Sequence, residues 1–267
     1  KTLAEFKGSR LSLGGLTTLD VAIAKTLAEF KGEQLLLNGL TTLDADTATA
    51  LAEFKGSRLE LNGLTALDAA TTKALAEFKG SALWLNGLTT LDAATAKALA
   101  EFKGQQLGLS RLTTLDAATA KALAEFKGGY LHLDGVTKLD VDIAKILAEF
   151  KGSWLGLNGL TTLDAATAKT LAALDTWNGN LSSIVAIESP DSVEIAAALA
   201  KRKGPLTLPN LKKISPKTLT TLIEKEDVVI PLIERLELIQ EPDGSPTEDF
   251  MLPTGFQSRQ KARQQGR

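Results

Sequence analysis

Hydrophobic and polar positions recur along this chain with a period of 24 residues. The repeated phrase Leu-Ala-Glu-Phe-Lys-Gly marks the period, and its phenylalanines are Phe6, Phe30, Phe54, Phe78, Phe102, Phe126 and Phe150. A fixed period of this size is typical of a solenoid, in which each unit buries its apolar face only against its neighbours. The pattern therefore predicts stacked repeats instead of one globular core.

Each unit is predicted to contain a short strand, as the fourth unit illustrates. Leu83 and Leu85 alternate with Trp84 and Asn86, which is the two-residue period of a strand with one buried face. Because the leucines are expected to face a core, the residues between them are expected on the outward face.

A helix is predicted to follow the strand in the same unit. Asp92 is a favoured N-cap, residues 93–103 have helical spacing, and Gly104 stands where a left-handed C-cap is expected. The predicted inward stripe of this helix is formed by Ala96, Leu99, Ala100 and Phe102. Small residues suit this stripe because a short unit requires the helix and the strand to approach closely.

Together these elements predict an α/β, leucine-rich-repeat-like solenoid of about nine or ten repeats. We expect the strands to stack in parallel about 4.8 Å apart, with the parallel β-sheet on the concave face and the helices on the convex face.

The pattern divides the chain into three segments. Residues 1–170 hold the regular 24-residue repeats, and because the chain opens inside a repeat we expect the native amino terminus further upstream. Residues 171–239 keep a looser version, in which Ser189-Pro190-Asp191 and Ser215-Pro216 are predicted to open helices. We interpret this segment as degenerate repeats with a C-terminal cap, and a separate small domain is the alternative.

Residues 240–267 form a tail of different composition. Turn and linker residues at its start are followed by a short apolar patch and a basic end. We expect the patch to dock on the solenoid or on a partner through Phe250, Leu252 and Phe256.

The strand segments also resemble a known family. The run Leu-x-Leu-Asn-Gly-Leu-Thr-Thr-Leu-Asp is similar to the strand segment of bacterial leucine-rich repeats, particularly the short 23-residue classes of BspA and treponemal type. The resemblance covers approximately Leu3 to Leu238. It implies a binding scaffold, often at a cell surface or secreted, and it names no partner. The sequence itself does not identify the compartment.

One feature departs from the family pattern. The family's asparagine stands further from the second strand leucine, whereas here the asparagine follows that leucine immediately, at Asn38, Asn62, Asn86 and Asn158. The departure argues against an internal asparagine ladder.

The amino-acid composition argues against several classes of function. The chain has no cysteine and a single histidine, His132, so we expect no metal site, no cofactor and no enzyme activity. The net charge of -2 predicts no general attraction to nucleic acid. No apolar run approaches the roughly 18 residues of a membrane span. The recurring aspartates, such as Asp92, are explained as helix caps.

The informative residues are those that vary while the frame repeats, and they fall in two outward columns. The first column is Arg10, Gln34, Arg58, Ala82, Gln106, Tyr130, Trp154 and Asn178, and the second is Ser12, Leu36, Glu60, Trp84, Gly108, His132, Gly156 and Asn180. All but one of the chain's tryptophan and tyrosine residues lie in these columns. A core does not require them there, so they indicate a binding patch.

We expect the partner-binding residues to be Trp84, Tyr130, His132, Trp154, Arg58 and Glu60. Gly108 and Gly156 are expected to leave gaps beside Trp84 and His132 that a partner group fills. The alternative is that the rings cover one another or a neighbouring element such as the tail.

The sequence therefore predicts a noncatalytic scaffold that binds a protein or peptide on the concave strand face. Two alternatives remain open. The first is a structural repeat protein of a cell surface or larger complex that assembles with itself through its tail or solenoid ends. The second is a carbohydrate-binding module, because aromatic faces stack on sugar rings.

Overall fold

The computed structural model describes residues 7–245 together with residues 255, 256, 258 and 262. The chain divides into two compact units. The first unit runs to Val136 and includes Asp142–Leu157, and the second comprises Thr137–Val141 and the chain from Asn158 onward. The repeated phrase belongs to the first unit, and the looser pattern belongs to the second.

The first unit contains a seven-stranded parallel sheet whose strands lie in sequence order. Neighbouring strands pair residues that are 24 positions apart, as in Arg58 with Ala82. The strands are β1 (Arg10–Ser12), β2 (Gln34–Leu36), β3 (Arg58–Glu60), β4 (Ala82–Trp84), β5 (Gln106–Gly108), β6 (Tyr130–His132) and β7 (Trp154–Gly156).

Helices alternate with these strands and lie on the other face of the sheet. They are α1 (Val21–Ala28), α2 (Ala45–Ala52), α3 (Ala69–Ala76), α4 (Ala93–Ala100), α5 (Ala117–Ala124) and α6 (Val141–Leu147). The predicted α/β solenoid with a parallel sheet is confirmed.

Identical residues stack on one another inside the repeats. Phe30, Phe54, Phe78, Phe102, Phe126 and Phe150 form one column, with ring centroids 6.1–6.5 Å apart and ring planes within 6°. The strand leucines, such as Leu83 and Leu85, are fully buried beside them. Each buried phenylalanine contributes about 1.5–3 kcal/mol of hydrophobic stabilisation, so this column is a main part of the core.

The helices begin where the sequence predicts, but they end earlier. Asp92 accepts a 2.7 Å hydrogen bond from the backbone N–H of Thr95, as an N-cap does. Helix α4 stops at Ala100, and its C-cap Glu101 has a right-handed backbone. The prediction of a left-handed cap at Gly104 is wrong, because within the described residues only Gly179 and Gly244 have positive φ.

The second unit has shorter and less regular elements. Its strands form two small parallel sheets, of order β12-β10-β8 and β11-β9. In chain order the elements are α7 (Ala165–Ala172), β8 (Ala186–Ile187), α8 (Ser192–Ala200), β9 (Leu206–Thr207), β10 (Lys213–Ile214), α9 (Pro216–Ile223), β11 (Val228–Val229), a 3-10 helix (Ile233–Arg235) and β12 (Glu237–Leu238).

A buried arginine joins several turns of the second unit. Arg202 is 7% exposed, lies 4.9 Å from the centroid of the Trp177 ring and donates to the carbonyl oxygens of Leu174, Trp177 and Pro205. Burial lowers the pKa of its guanidinium, and the Asp175 and Asp227 carboxylates oppose that shift. Trp177, the tryptophan outside the two outward columns, is therefore a core residue.

The two helix starts predicted in this unit have different outcomes. Ser215 caps α9 by accepting from the backbone N–H of Thr218, with proline at N1 as predicted. The start at Ser189-Pro190 is wrong, because α8 begins at Ser192 after Asp191. The Asp191 side chain accepts a hydrogen bond from the backbone N–H of Ala165, at the start of α7, and makes none to its own helix.

Of the tail residues predicted to dock, only one lies in the described part of the chain. Phe256 is 3% exposed. Phe250 and Leu252 fall outside the described residues.

No helix in the described ranges is both long and apolar enough to cross a membrane.

Candidate partner-binding surface

The register of the sheet aligns the variable residues of β1 to β7 in two columns, as predicted, whereas Asn178 and Asn180, the last residues of the predicted columns, lie outside this sheet. Arg58 pairs with Ala82, Gln106 with Tyr130, and Tyr130 with Trp154 in the first column. The second column runs in parallel through Glu60, Trp84, Gly108, His132 and Gly156. Both columns lie on the sheet face opposite the buried leucines, so the variable residues share one surface.

The aromatic residues of these columns touch one another. The His132 ring lies between two tryptophans, with its centroid 4.8 Å from that of Trp84 and 4.5 Å from that of Trp154. Both tryptophans are tilted by 46–48° relative to the imidazole. Tyr130 follows at 6.5 Å from Trp154. We call Arg58, Glu60, Trp84, Tyr130, His132 and Trp154 together the aromatic strip.

The two glycines of the second column do not leave gaps for a partner. A Cβ atom on Gly108 would lie 3.0 Å from Cδ2 of Trp84, and one on Gly156 would lie 2.6 Å from Cζ3 of Trp154. The tryptophan rings therefore already lie across these glycines. The predicted gaps beside Trp84 and His132 are wrong, because alternation in a strand assigns a side chain to a face but not the direction in which it leans.

An arginine and a glutamate extend the strip at its other end. The Cζ atom of Arg58 lies 4.8 Å from the centroid of the Trp84 ring, and its Nη2 lies 2.5 Å from Oε1 of Glu60. Glu60 is only 7% exposed and also accepts hydrogen bonds from the side-chain amides of Asn38 and Asn62. Its carboxylate therefore holds Arg58 over the ring, so it acts as a positioning group.

Several polar atoms within the strip have no hydrogen-bond partner. They are Nε of Arg58, Nε1 of Trp84 and Nε2 of His132, all shielded from solvent. The other imidazole nitrogen, Nδ1, lies 3.7 Å from Oδ2 of Asp134. His132 is therefore a half-buried member of the ring stack.

Exposure differs along the strip. Tyr130 is 42% exposed, and the side chain of Arg58 is 38% exposed. Trp84, His132 and Trp154 are half-buried because they pack against one another. The exposed surface of the strip thus consists of the tyrosine, the guanidinium and the outer parts of two indoles.

A row of asparagines lies beside the strip and forms a hydrogen-bonded ladder, so the prediction against an internal asparagine ladder is wrong. The side-chain oxygen of Asn38 accepts from the backbone N–H of Asn62, and Asn62 and Asn86 accept in the same way from the next repeat, at 2.9–3.0 Å. The row is half-buried at the end of the strands. Its signal in the sequence was the Asn-Gly pair at the same position of four units, at Asn38, Asn62, Asn86 and Asn158.

Comparison of the chain with protein-family models and with curated proteins gives no significant match.

Proposed function

We propose that this chain is a noncatalytic binding module of leucine-rich-repeat type, similar to bacterial repeats of this kind, which binds a protein or peptide through the aromatic strip. The observation that carries the proposal is the contact between residues that break the repeat. Arg58, Trp84, His132, Trp154 and Tyr130 come from four different repeats, yet they form one continuous, partly exposed surface.

The composition of the strip supports recognition of a partner. Tryptophan, tyrosine and arginine are the residues most enriched among those that dominate binding energy at protein interfaces. Tyr130 has the highest exposed fraction of the aromatic residues in the strip, and Trp84 and Trp154 each expose part of the indole ring. Glu60 and His132 act mainly as supports, because one holds Arg58 and the other fills the space between the indoles.

The frame beneath the strip also suits binding. Each strand of the strip is held by backbone hydrogen bonds to its neighbours, for example Leu85 N–H to the carbonyl of Gly108 at 2.9 Å. Side chains on such a frame lose little conformational entropy when a partner arrives.

Site-specific crosslinking tests the proposal with the native partner. The photoreactive residue p-benzoylphenylalanine replaces Tyr130 in one variant and Lys97, an exposed residue of α4, in the control variant. We expect position 130 to capture a distinct protein, identified by mass spectrometry, and position 97 to capture none. Equal capture at both positions, or none at position 130, would contradict the proposal.

Alanine substitutions then test the individual anchors against the captured partner. We expect Trp84→Ala and Trp154→Ala each to weaken binding by more than about 1 kcal/mol, because each removes a ring of the continuous surface. Gln106→Ala is the matched control, since Gln106 lies in the same outward column as Trp154 but has no aromatic ring. Calorimetry gives the affinities, and circular dichroism shows whether each variant remains folded. Unchanged affinity in both tryptophan variants would reject this placement of the site.

The alternatives give different results. A carbohydrate-binding module binds in a glycan array, and the tryptophan variants abolish that signal. A self-assembling protein grows in size over a concentration series in light scattering, whereas a receptor module does not.

A further inference from the structure

We propose that the part of the strip formed by Tyr130 and Trp154 receives an arginine side chain of the partner. This inference rests on the proposed function and names the chemistry of the group that is bound. It is carried by a comparison between the two ends of the strip.

At one end the chain supplies its own cation. The guanidinium of Arg58 lies over the Trp84 ring with its charge paired to Glu60. A guanidinium is weakly hydrated and planar, so it stacks well on an indole while it donates to a carboxylate. This arrangement shows that a tryptophan beside an acidic residue on this sheet accommodates a guanidinium group.

The other end has an aromatic ring and an acid in a similar relationship. A Cβ atom on Gly156 would lie 2.6 Å both from Cζ3 of Trp154 and from Oδ1 of Asp134. The indole and the carboxylate therefore border the same small residue. The Tyr130 ring lies beside Trp154, which adds a second aromatic face with 42% of the tyrosine exposed.

This end has no lysine or arginine of its own, and the Asp134 carboxylate lies 3.7 Å from Nδ1 of His132 and accepts a 3.5 Å hydrogen bond from the Ser110 hydroxyl. Among the described residues, the guanidinium–indole contacts are those of Arg58 with Trp84 and of Arg202 with Trp177. The outward positions of β4 to β7 contain no lysine or arginine, and their only basic residue is His132. No lysine or arginine among the described residues lies over Trp154, so we assign this place to a guanidinium of the partner, which the negative charge of Asp134 favours.

Asp134 offers a substitution that removes charge with little change of shape. The equivalent positions of other repeats are Asn38, Asn62, Asn86 and Asn158. Asparagine is therefore already compatible with this turn, and Asp134→Asn is expected to keep the fold. Asp46→Asn, at an exposed site on α2, is a control with the same change in net charge.

The experiment uses the full chain and two labelled probes, a hexa-arginine peptide and a hexa-citrulline peptide. Citrulline keeps the size and planarity of arginine but carries no charge. We expect fluorescence anisotropy to show binding of hexa-arginine that is at least about tenfold tighter than that of hexa-citrulline. Asp134→Asn and Tyr130→Ala should each weaken the affinity for hexa-arginine by about fivefold, whereas Asp46→Asn should weaken it by less than about twofold.

Nuclear magnetic resonance locates the bound peptide. The indole N–H signal of Trp154 should shift on addition of hexa-arginine, whereas that of Trp177, buried in the second unit, should not. Equal affinity for the two peptides, or equal weakening by Asp134→Asn and Asp46→Asn, would overturn the inference. Binding to a glycan that is abolished by Trp154→Ala would also overturn it.

The outcome separates this inference from the proposed function. If a native partner crosslinks at position 130 while citrulline binds as well as arginine, the binding module stands and its cation specificity fails. If no partner is captured at position 130, the proposed function itself fails.

Discussion

Gly128 and Gly129 are neighbours in the sequence, but their surroundings differ sharply. A Cβ atom on Gly128 would lie 2.6 Å from the carbonyl oxygen of Gly104 and 2.6 Å from Cε1 of Phe126. A Cβ atom on Gly129 would come no closer than 3.3 Å to Oε1 of Gln105, the end of a flexible side chain. The first glycine is thus required by the close approach of backbone and phenylalanine, although its φ is not positive.

Alanine at these two positions gives a direct test of that difference. We expect Gly128→Ala to lower the free energy of unfolding by about 2 kcal/mol or more, because the phenylalanine column or the backbone must shift. Gly129→Ala should change it by less than about 0.5 kcal/mol. Urea denaturation followed by circular dichroism measures both. Similar stability of the two variants would show that the backbone of this turn moves apart without cost.

At the same scale, the sequence predicted which residues form the strip but not how they contact. Alternation and the 24-residue register assigned Trp84, Tyr130 and Trp154 to one face, because both depend only on backbone periodicity. The lean of each indole over a glycine depends on side-chain volumes in the adjacent repeat. The effect of those volumes depends on which side chains face one another across the repeats. For this reason the sequence predicted gaps at Gly108 and Gly156, which the tryptophan rings fill in the structure.

Helices α2 to α5 each start with an aspartate whose carboxyl pKa is lowered. The backbone N–H of the residue three positions on donates to the carboxylate, which lowers the pKa of Asp44, Asp68, Asp92 and Asp116 below the ordinary value of 3.8. The unfolded chain therefore binds these protons first as the pH falls. The stabilisation by the caps is complete above about pH 4 and is lost as the pH falls through the lowered values.

The free energy of unfolding should consequently decrease below about pH 4. A variant with Asp44→Asn, Asp68→Asn, Asp92→Asn and Asp116→Asn is the matched comparison, since asparagine caps helices about as well as aspartate but does not titrate. We expect this variant to show a shallower loss between about pH 4 and pH 2.5, measured by urea denaturation at each pH. An identical slope in both proteins would mean that other carboxylates control acid unfolding.

At the scale of the element, helix starts were easier to predict than helix ends. An N-cap depends on one side chain and one nearby backbone N–H, as with Asp92 and Thr95, so local sequence suffices. Gly104 was interpreted as a local cap, but a Cβ atom there would clash with the Phe102 ring of the same repeat and with the carbonyl oxygen of Gly80 in the preceding repeat. Likewise Asp191 bonds to Ala165 on another element, which no local rule reveals.

For the molecule as a whole, the regular part of the fold followed from the period alone. Once 24-residue units are assumed to stack, the parallel order and pairing of β1 to β7 follow without further information. The second unit was less predictable because its repeats differ in length and sequence. The two small sheets there, and the position of Arg202 among three carbonyl groups, depend on contacts between elements that share no repeated pattern.

The stacking of the first unit predicts a gradient of local stability along its sheet. β5 pairs with a strand on each side, whereas β1 pairs with β2 alone among the strands that the described residues form. Leu11 and Leu13 beside β1 are half-buried, whereas Leu107 and Leu109 in the equivalent places are fully buried. In a solenoid each repeat is stabilised mainly by its neighbours, so a repeat with one neighbour opens more readily than one with two.

Hydrogen–deuterium exchange measured by mass spectrometry should therefore show rising protection from β1 through β2 to β5. We expect amides of β5 to exchange at least about tenfold more slowly than those of β1, because opening β5 breaks contacts on both sides. Phe102→Leu, which removes one ring from the phenylalanine column, should accelerate exchange in β4 and β5 more than in β1. Uniform exchange across the sheet, or uniform acceleration by the variant, would instead mean that the first unit opens as one cooperative block, and nearest-neighbour stacking would not describe its stability.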